Sequence, residues 1–296
     1  MTGNDIPAAG FGDEFCLTLI TSDPALAAEA EAAGVDRIGV DLERLDKAAR
    51  QAQQDTRLSE HRLDDLPVVA RALERADLFV RLNPLNPDTP LEMETALRCG
   101  AKVLMLPFFR TANEVERFVR LADGRAPVVI LLETVPATLR VREVLAVPGI
   151  GEVMLGLNDL RLQFGVRSHF EVLASPVVDM LASEVRRAGL PLAVGGVARA
   201  DDTCLPIAPD LVYAQFPRLG ATGAWLARSF FRGAAPGWEF GRAVRAVRQR
   251  LSHWATASPA ELERTREELA QRARRMASDC DETPAVTAVR GRAQLK

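Results

Sequence analysis

Short apolar runs alternate with amphipathic stretches from residue 15 almost to the C-terminus. The runs are FCLTLI (15–20), RIGVDL (37–42), LFVRLN (78–83), KVLMLP (102–107), VVILLE (128–133), EVMLGL (152–157), PLAVGG (191–196) and DLVYAQF (210–216). Each is hydrophobic nearly throughout, which fits strands buried on both faces of a parallel sheet rather than half-exposed strands, which alternate. Helical patterns lie between them. Asp23-Pro24 supplies an N-cap and a first-turn proline ahead of ALAAEAEAAG, and Gly34 stops that helix. Thr89-Pro90 opens another, ending at Cys99-Gly100. TANEVERFVRLADG (111–124) carries Val115, Phe118, Val119 and Ala122 on one face, and PATLRVREVLAV (136–147) and SPVVDMLASEVRRAG (175–189) behave the same way. Eight strands with intervening helices predict an α/β fold, a (β/α)8 TIM barrel over residues 1–235. An open doubly wound sheet would want a glycine fingerprint after its first strand, and TSDPAL is not one.

Two segments break the rhythm. Residues 43–62 (ERLDKAARQAQQDTRLSEHR) form a long polar connection after the second strand, expected over the barrel's C-terminal mouth. Residues 236–296 lie beyond the eighth unit and are expected to be a C-terminal helical extension and tail. There Ser258-Pro259-Ala260-Glu261 is a capping box. Leu262, Leu269 and Met276 recur every seven residues behind it, a narrow stripe that suits packing on the barrel or a subunit contact. The last stretch, DETPAVTAVRGRAQLK, reads as a frayed tail.

Composition narrows the class further. With 48% hydrophobic and 26% charged residues the chain is ordinary globular protein, and a net charge of -3 gives no reason to expect nucleic acid. No apolar run approaches the roughly 20 residues of a membrane helix, so no membrane partner is expected. The opening MTGNDIPAAGFGDEF lacks the basic and apolar regions of a secretory signal. Cys16, Cys99, Cys204 and Cys280 form no CxxC pair. Scattered reduced thiols and a cytoplasmic location are expected. Lysine occurs only at Lys47, Lys102 and Lys296.

In a parallel barrel, functional side chains sit at the C-terminal ends of strands. Those ends hold Asp41 and Glu43, Arg81 and Asn83, Glu133, Asn158 and Asp159, and Gly195-Gly196. Glu133 ends a run of apolar residues, where a carboxylate is costly unless paired or bound to a metal. Asp159 ends the next strand's GLNDL, and neighbouring strands lie about 5 Å apart. The two carboxylates can therefore share one hard cation, with water and substrate completing the shell. Equally, Glu133 can pair with Arg81 while Asp159 caps a helix. Arg81 is either a salt-bridged structural residue or a fixed donor to an oxyanion.

These residues in their context resemble the HpcH/HpaI aldolase and citrate lyase β-subunit superfamily. The matching pieces, in the family's order, are VDLER (40–44), VRLNP (80–84), GAKVLMLP (100–107), LLETVPA (131–137), AVPGI (146–150) and GLNDLRLQFG (156–165). The resemblance implies Glu133 and Asp159 as ligands of Mg2+ or Mn2+. It also implies Arg81 at the substrate's keto or enolate oxygen, and the backbone of Gly156, Leu157, Asn158 and Asp159 at its carboxylate. The family's aldolases follow the second strand with Asp, Glu and a histidine base, and its citrate lyase branch reads D-L-E-D. This chain has Asp41-Leu42-Glu43-Arg44 and completes neither version. The base therefore falls to Asp41 or Glu43, to His61 from the polar loop, or to a metal-bound water.

A Schiff-base route needs a lysine inside the barrel near a strand end. Lys102 starts its strand, Lys47 lies in a loop and Lys296 is terminal, so a metal-dependent route is favoured. The leading expectation is a carbon–carbon lyase or aldolase acting on a small 2-oxo acid of the pyruvate or oxaloacetate type through an enolate, in a homo-oligomer. Three alternatives remain: an acyl-CoA lyase of the same superfamily, a phosphate-substrate barrel enzyme using Gly195-Gly196, and a non-catalytic sensor or assembly protein derived from an aldolase.

Overall fold

The computed structural model describes residues 10–45, 61–231 and 238–279. Its strands are β1 (Cys16–Ile20), β2 (Arg37–Asp41), β3 (Asp77–Arg81), β4 (Val103–Leu106), β5 (Val128–Leu132), β6 (Ile150–Leu155), β7 (Leu192–Val197) and β8 (Gly223–Leu226). They form a closed parallel barrel in sequence order. β8 returns to β1 with Cys16 opposite Gly223 and Thr18 opposite Trp225, which leaves no sheet edge exposed.

Two cores follow from the two-residue period of a strand. Every second side chain points out, and these pack with the helices into one large apolar shell. The others point into the barrel, where Phe79, Val103, Met105, Val129, Leu131, Met154 and Ala193 form a separate cluster. Gly39 makes room for it, since a Cβ there would lie 2.4 Å from Ile20 Cδ1 and 3.1 Å from Phe79 Cδ1. At the N-terminal end the Arg37 guanidinium on β2 donates to Glu152 Oε2 on β6 at 2.6 Å. Beside that pair, burial pushes the Cys16 thiol up to about 12, against the opposing charge of Arg37, so it is an unreactive thiol.

Seven of the eight predicted strands overlap the observed ones; the eighth does not. DLVYAQF is helical, lying in Pro209–Tyr213 and Gln215–Leu219, and β8 is GAWL further on. Period alone does not separate a short buried strand from a short buried helix. Here Pro209 pre-sets the first helical turn, and Leu211, Tyr213 and Phe216 are buried in the outer shell. The true strand has four residues and begins with a glycine, so it carries little signal. Gly223 is needed there because a Cβ would approach Cys16 O to 3.1 Å. Gly195 and Gly196 lie within β7 instead of following it, at a break in register with β8. The segment 136–147 is two short helices, Val135–Leu139 and Val141–Leu145, interrupted at Arg140. Most of the polar connection expected over the mouth, residues 46–60, lies outside the described residues, as do Lys47, Cys280, Lys296 and the terminal stretch read as a frayed tail.

The chain after β8 returns to the barrel. Helix Phe240–Ala255 buries Phe240, Val244, Val247 and Leu251 against the body. Its Arg248 donates to the carbonyls of Gly12, Phe15 and Gly34 and to the Asp36 carboxylate, buckling this helix to the barrel's N-terminal end. Helix Pro259–Asp279 starts at the expected capping box, with Ser258 N–H donating to Glu261 at 2.8 Å. Leu262 and Leu269 are buried and Met276 packs on the shell, so the seven-residue stripe faces the chain's own barrel.

One buried carboxylate holds the turn that leads into β3. Glu31, on helix Pro24–Ala32, accepts from the backbone N–H groups of Glu74, Arg75 and Ala76 at 3.0, 2.6 and 2.6 Å. Burial raises its pKa, but the three amides together hold it below the usual carboxylate range. Glu31→Ala leaves those donors unsatisfied and should cost about 1–3 kcal/mol at neutral pH. A group with a depressed folded pKa stabilises above its unfolded pKa and loses that contribution as pH falls through the folded value. The gap in denaturation midpoint between wild type and variant should therefore narrow under acid. A gap that is independent of pH would show that the charge of Glu31 is not what holds the turn.

Candidate active site

The inward-pointing register that fills the barrel continues one step past the apolar cluster into its C-terminal mouth. Two residues beyond Gly39, Phe79 and Leu131 come Asp41, Arg81 and Glu133. Asp41 and Arg81 are directly opposed in the β2–β3 register. The guanidinium meets the carboxylate along two parallel bonds, Nε to Oδ1 at 2.7 Å and Nη2 to Oδ2 at 2.6 Å. Arg81 Nη1 lies 3.3 Å from Glu43 Oε2. The Arg81 guanidinium carbon stands 5.0 Å from the Trp225 ring centroid, a cation–π contact with β8. Burial lowers the proton affinity of Arg81, but Asp41, Glu43 and Glu133 more than offset this and keep it charged.

Glu133 is 2% exposed. Its Oε1 accepts from the Phe108 N–H at 2.9 Å. Phe108 sits at a left-handed φ of 49°, a strained conformation for an aromatic residue and one that clusters at functional sites. Burial pushes the Glu133 carboxyl well up, and the charges of Glu43 and Asp159 push it further, against Arg81 and the Phe108 amide. Gly156 is a glycine because of this carboxylate: a Cβ there would lie 2.5 Å from Glu133 Cβ and 2.6 Å from Oε2. The Gly156 N–H donates to Leu132 O at 3.1 Å. Of the four residues expected to offer amides to a carboxylate, Gly156 is therefore committed to the barrel. Leu157, Asn158 and Asp159 form the first turn of helix Leu157–Phe164, at the helix end that favours anions.

The other candidates separate. His61 lies against the mouth, where its Nδ1 accepts the Asp41 N–H at 3.1 Å. Burial lowers its pKa, so it is neutral, and the accepting Nδ1 places its proton on Nε2. Asn83 ties down the chain after β2 by accepting from the N–H groups of Arg44 and Leu45 at 2.8 and 3.1 Å. Gly195 and Gly196 serve packing: a Cβ on Gly195 would meet Leu157 Cδ1 at 2.8 Å, and one on Gly196 would meet Trp225 O at 3.1 Å. His169 lies tilted against the Phe170 ring and His253 meets the Trp254 ring edge to face. Sequence reasoning missed Trp225 because it misplaced the eighth strand. It missed Phe108 because positive φ at a non-glycine residue leaves no mark in composition.

Comparison with known proteins identifies the family and the fold. Residues 15–190 match the HpcH/HpaI aldolase/citrate lyase family, well over half of the chain, and the chain belongs to that family. Membership supports a lyase- or aldolase-type enzyme in a family that is generally dependent on divalent metal. No curated protein matches the chain. Among solved structures, the HpcH/HpaI aldolase from Desulfitobacterium hafniense is 16% identical with a TM-score of 0.55, covering 72% of this chain and 86% of that one. RipC from Yersinia pestis is 18% identical with a TM-score of 0.54, covering 84% and 98%. An HpcH/HpaI aldolase/citrate lyase family protein from Burkholderia cenocepacia is 17% identical with a TM-score of 0.56, covering 81% and 95%. At such identities the likeness is one of fold. Among the described residues no helix is long and apolar enough to cross a membrane.

Gly156→Ala tests the packing of the site directly. The added methyl has to displace Glu133, at an overpacking cost of about 1–3 kcal/mol. The expected result is a folded protein with a lower melting temperature and, in its crystal structure, a Glu133 side chain moved away from the Phe108 amide. An unmoved Glu133 would mean that the turn yields instead of the carboxylate.

Proposed function

We propose that the chain is a divalent-metal-dependent carbon–carbon lyase or aldolase acting on a small 2-oxo acid. The observation that carries this reading is Glu133, a carboxylate buried in the mouth whose proton affinity is raised by burial and by the neighbouring Glu43 and Asp159. Carboxylates that raise one another's proton affinity are a donor set that a hard cation fits. Among the described residues no group of three or more His, Cys, Asp or Glu is arranged to hold a metal ion. We assign the protein's share to a pair of carboxylates, Glu133 and Asp159, since Mg2+ or Mn2+ suits a site completed by substrate and water oxygens. When bound, such an ion polarises the keto group and offsets the charge of the enolate left by carbon–carbon cleavage.

The chain's own groups divide the remaining work. The first-turn amides of Leu157, Asn158 and Asp159 receive the substrate carboxylate, at a helix end that favours anions. Arg81 donates to the keto oxygen through Nη1, the corner held only by the longer contact to Glu43. Asp41 is the orienting partner of Arg81, since both of its oxygens already accept from the guanidinium. The neutral His61, protonated on Nε2, is a proton donor in this tautomer. We assign proton abstraction to Glu43, whose contact with Arg81 is the longer one.

Two measurements test the reading. Manganese titration should show affinity reduced at least tenfold in Glu133→Gln and in Asp159→Asn, each of which removes one of the two charges on the ion. Undiminished affinity in both variants rules the site out. In retro-aldol kinetics at saturating metal, Arg81→Lys should lower kcat by about 10²–10³, the usual cost of losing one oriented donor to a developing oxyanion. Lysine keeps the charge but not the fork that Asp41 holds. A folded Arg81→Lys protein with normal kcat would return Arg81 to a purely structural role. Metal binding by the wild type without turnover of any 2-oxo acid, with or without an aldehyde acceptor, would favour a non-catalytic protein.

A further inference from the structure

Past the end of β2 the chain leaves the sheet, yet every backbone N–H from residue 41 to residue 45 has an acceptor. Asp41 donates to His61 Nδ1. Leu42 donates to Arg81 O at 2.8 Å, the last rung of the β2–β3 ladder. Glu43 donates to Asp41 Oδ1 at 3.1 Å. Arg44 and Leu45 donate to one atom, Asn83 Oδ1. A side chain from the end of β3 thus takes over where the ladder stops.

That carboxamide is itself oriented. Asn83 Nδ2 donates to Glu92 Oε1 at 2.9 Å, and the Asn83 N–H donates to Glu92 Oε2 at 3.3 Å. Glu92 lies on helix Thr89–Arg98, the helix that follows β3. A carboxamide has one accepting end and one donating end. Turned over, Asn83 would set its NH2 against two N–H groups and its oxygen against a carboxylate. Glu92 therefore fixes which way Asn83 faces.

We propose that Asn83 and Glu92 are positioning residues: together they clamp the chain immediately after Glu43 and so hold Asp41 and Glu43 against Arg81. The clamp grips residues 44 and 45 on one side, and the sheet grips 41 and 42 on the other. Glu43, one residue from each grip, has little freedom left. Its contact to Arg81 spans 3.3 Å and is not bidentate, so it depends on backbone placement more than the Asp41 pair does. The assignment of a catalytic consequence rests on the function proposed above.

The test is an exchange of polarity between the two residues. Asn83→Asp keeps the shape and the acceptor for residues 44 and 45 but sets a carboxylate against Glu92. Adding Glu92→Gln restores a donor–acceptor pair across the same gap with the roles reversed. Amide hydrogen exchange at Arg44 and Leu45 should accelerate at least tenfold in Asn83→Asp and return to within threefold of wild type in the double variant. With a 2-oxo acid substrate, kcat should follow the same fall and recovery while KM changes less. A purely structural residue would shift melting temperature without that recovery of kcat. Unchanged exchange in Asn83→Asp, or a double variant no better protected than the single one, overturns the clamp. If the wild type turns over no 2-oxo acid, the functional reading fails and the exchange experiment alone decides the clamp. Recovered exchange without recovered kcat in an active enzyme overturns the positioning role.

Discussion

The arrangement depends on one constraint, the two-residue period of strands that close into a barrel. Every interior side chain is matched two residues on by another interior side chain, so the strands that fill the barrel with Phe79 and Leu131 must also aim Arg81 and Glu133 into its mouth. Apolar packing below fixes the backbone to within the tolerance of a close-packed core. The polar groups above inherit that rigidity. The glycines belong to the same economy of space: Gly39 yields to Phe79 and Ile20, Gly156 to Glu133, Gly195 to Leu157.

A mouth built this way concentrates charge where water is scarce. Asp41, Glu43 and Glu133 are all buried, and Arg81 is the cation buried among them. Taking ions out of water costs several kcal/mol each, and only good geometry recovers it. Arg81 and Asp41 have that geometry. Glu133 is deeply buried and has two like charges nearby, which is why its proton affinity rises against the pull of Arg81 and the Phe108 amide, while that of Arg81 is driven upward by the same carboxylates. One site therefore holds a pair satisfied within the protein and, beside it, a carboxylate whose charge the protein offsets less fully.

The sequence carried the outline of this because burial on both faces writes itself as unbroken apolar runs, and a polar residue at the end of such a run stands out. Asp41, Arg81 and Glu133 were legible on that ground. β8 was not, because four residues beginning with glycine hold too little pattern, whereas the helical Leu211–Phe216 stretch is just as apolar. Gly195-Gly196 left a phosphate contact open as an alternative because glycine marks close approach without saying what approaches; here it is Leu157 and the β8 backbone. Asn83 was visible as a strand-end polar residue, but its partners are backbone N–H groups, which have no signature in sequence. The proton placement on His61 likewise follows from a single backbone donor.

Under the proposed function, these contacts decide how Arg81 acts. Both Asp41 oxygens hold one edge of the guanidinium, so its plane is set before any substrate arrives and little reorganisation is left for the reaction. The remaining corner has only a longer contact with Glu43, an exchangeable partner. A neutral keto oxygen competes weakly for that corner, because Glu43 carries a full charge. An oxygen that gains charge as a carbon–carbon bond breaks competes well, and most strongly if Glu43 takes up a proton at the same moment. In the proposed reaction, the pairing of Arg81 with Glu43 would thus bias the donor toward the transition state over the ground state, which is the condition for an interaction to raise kcat.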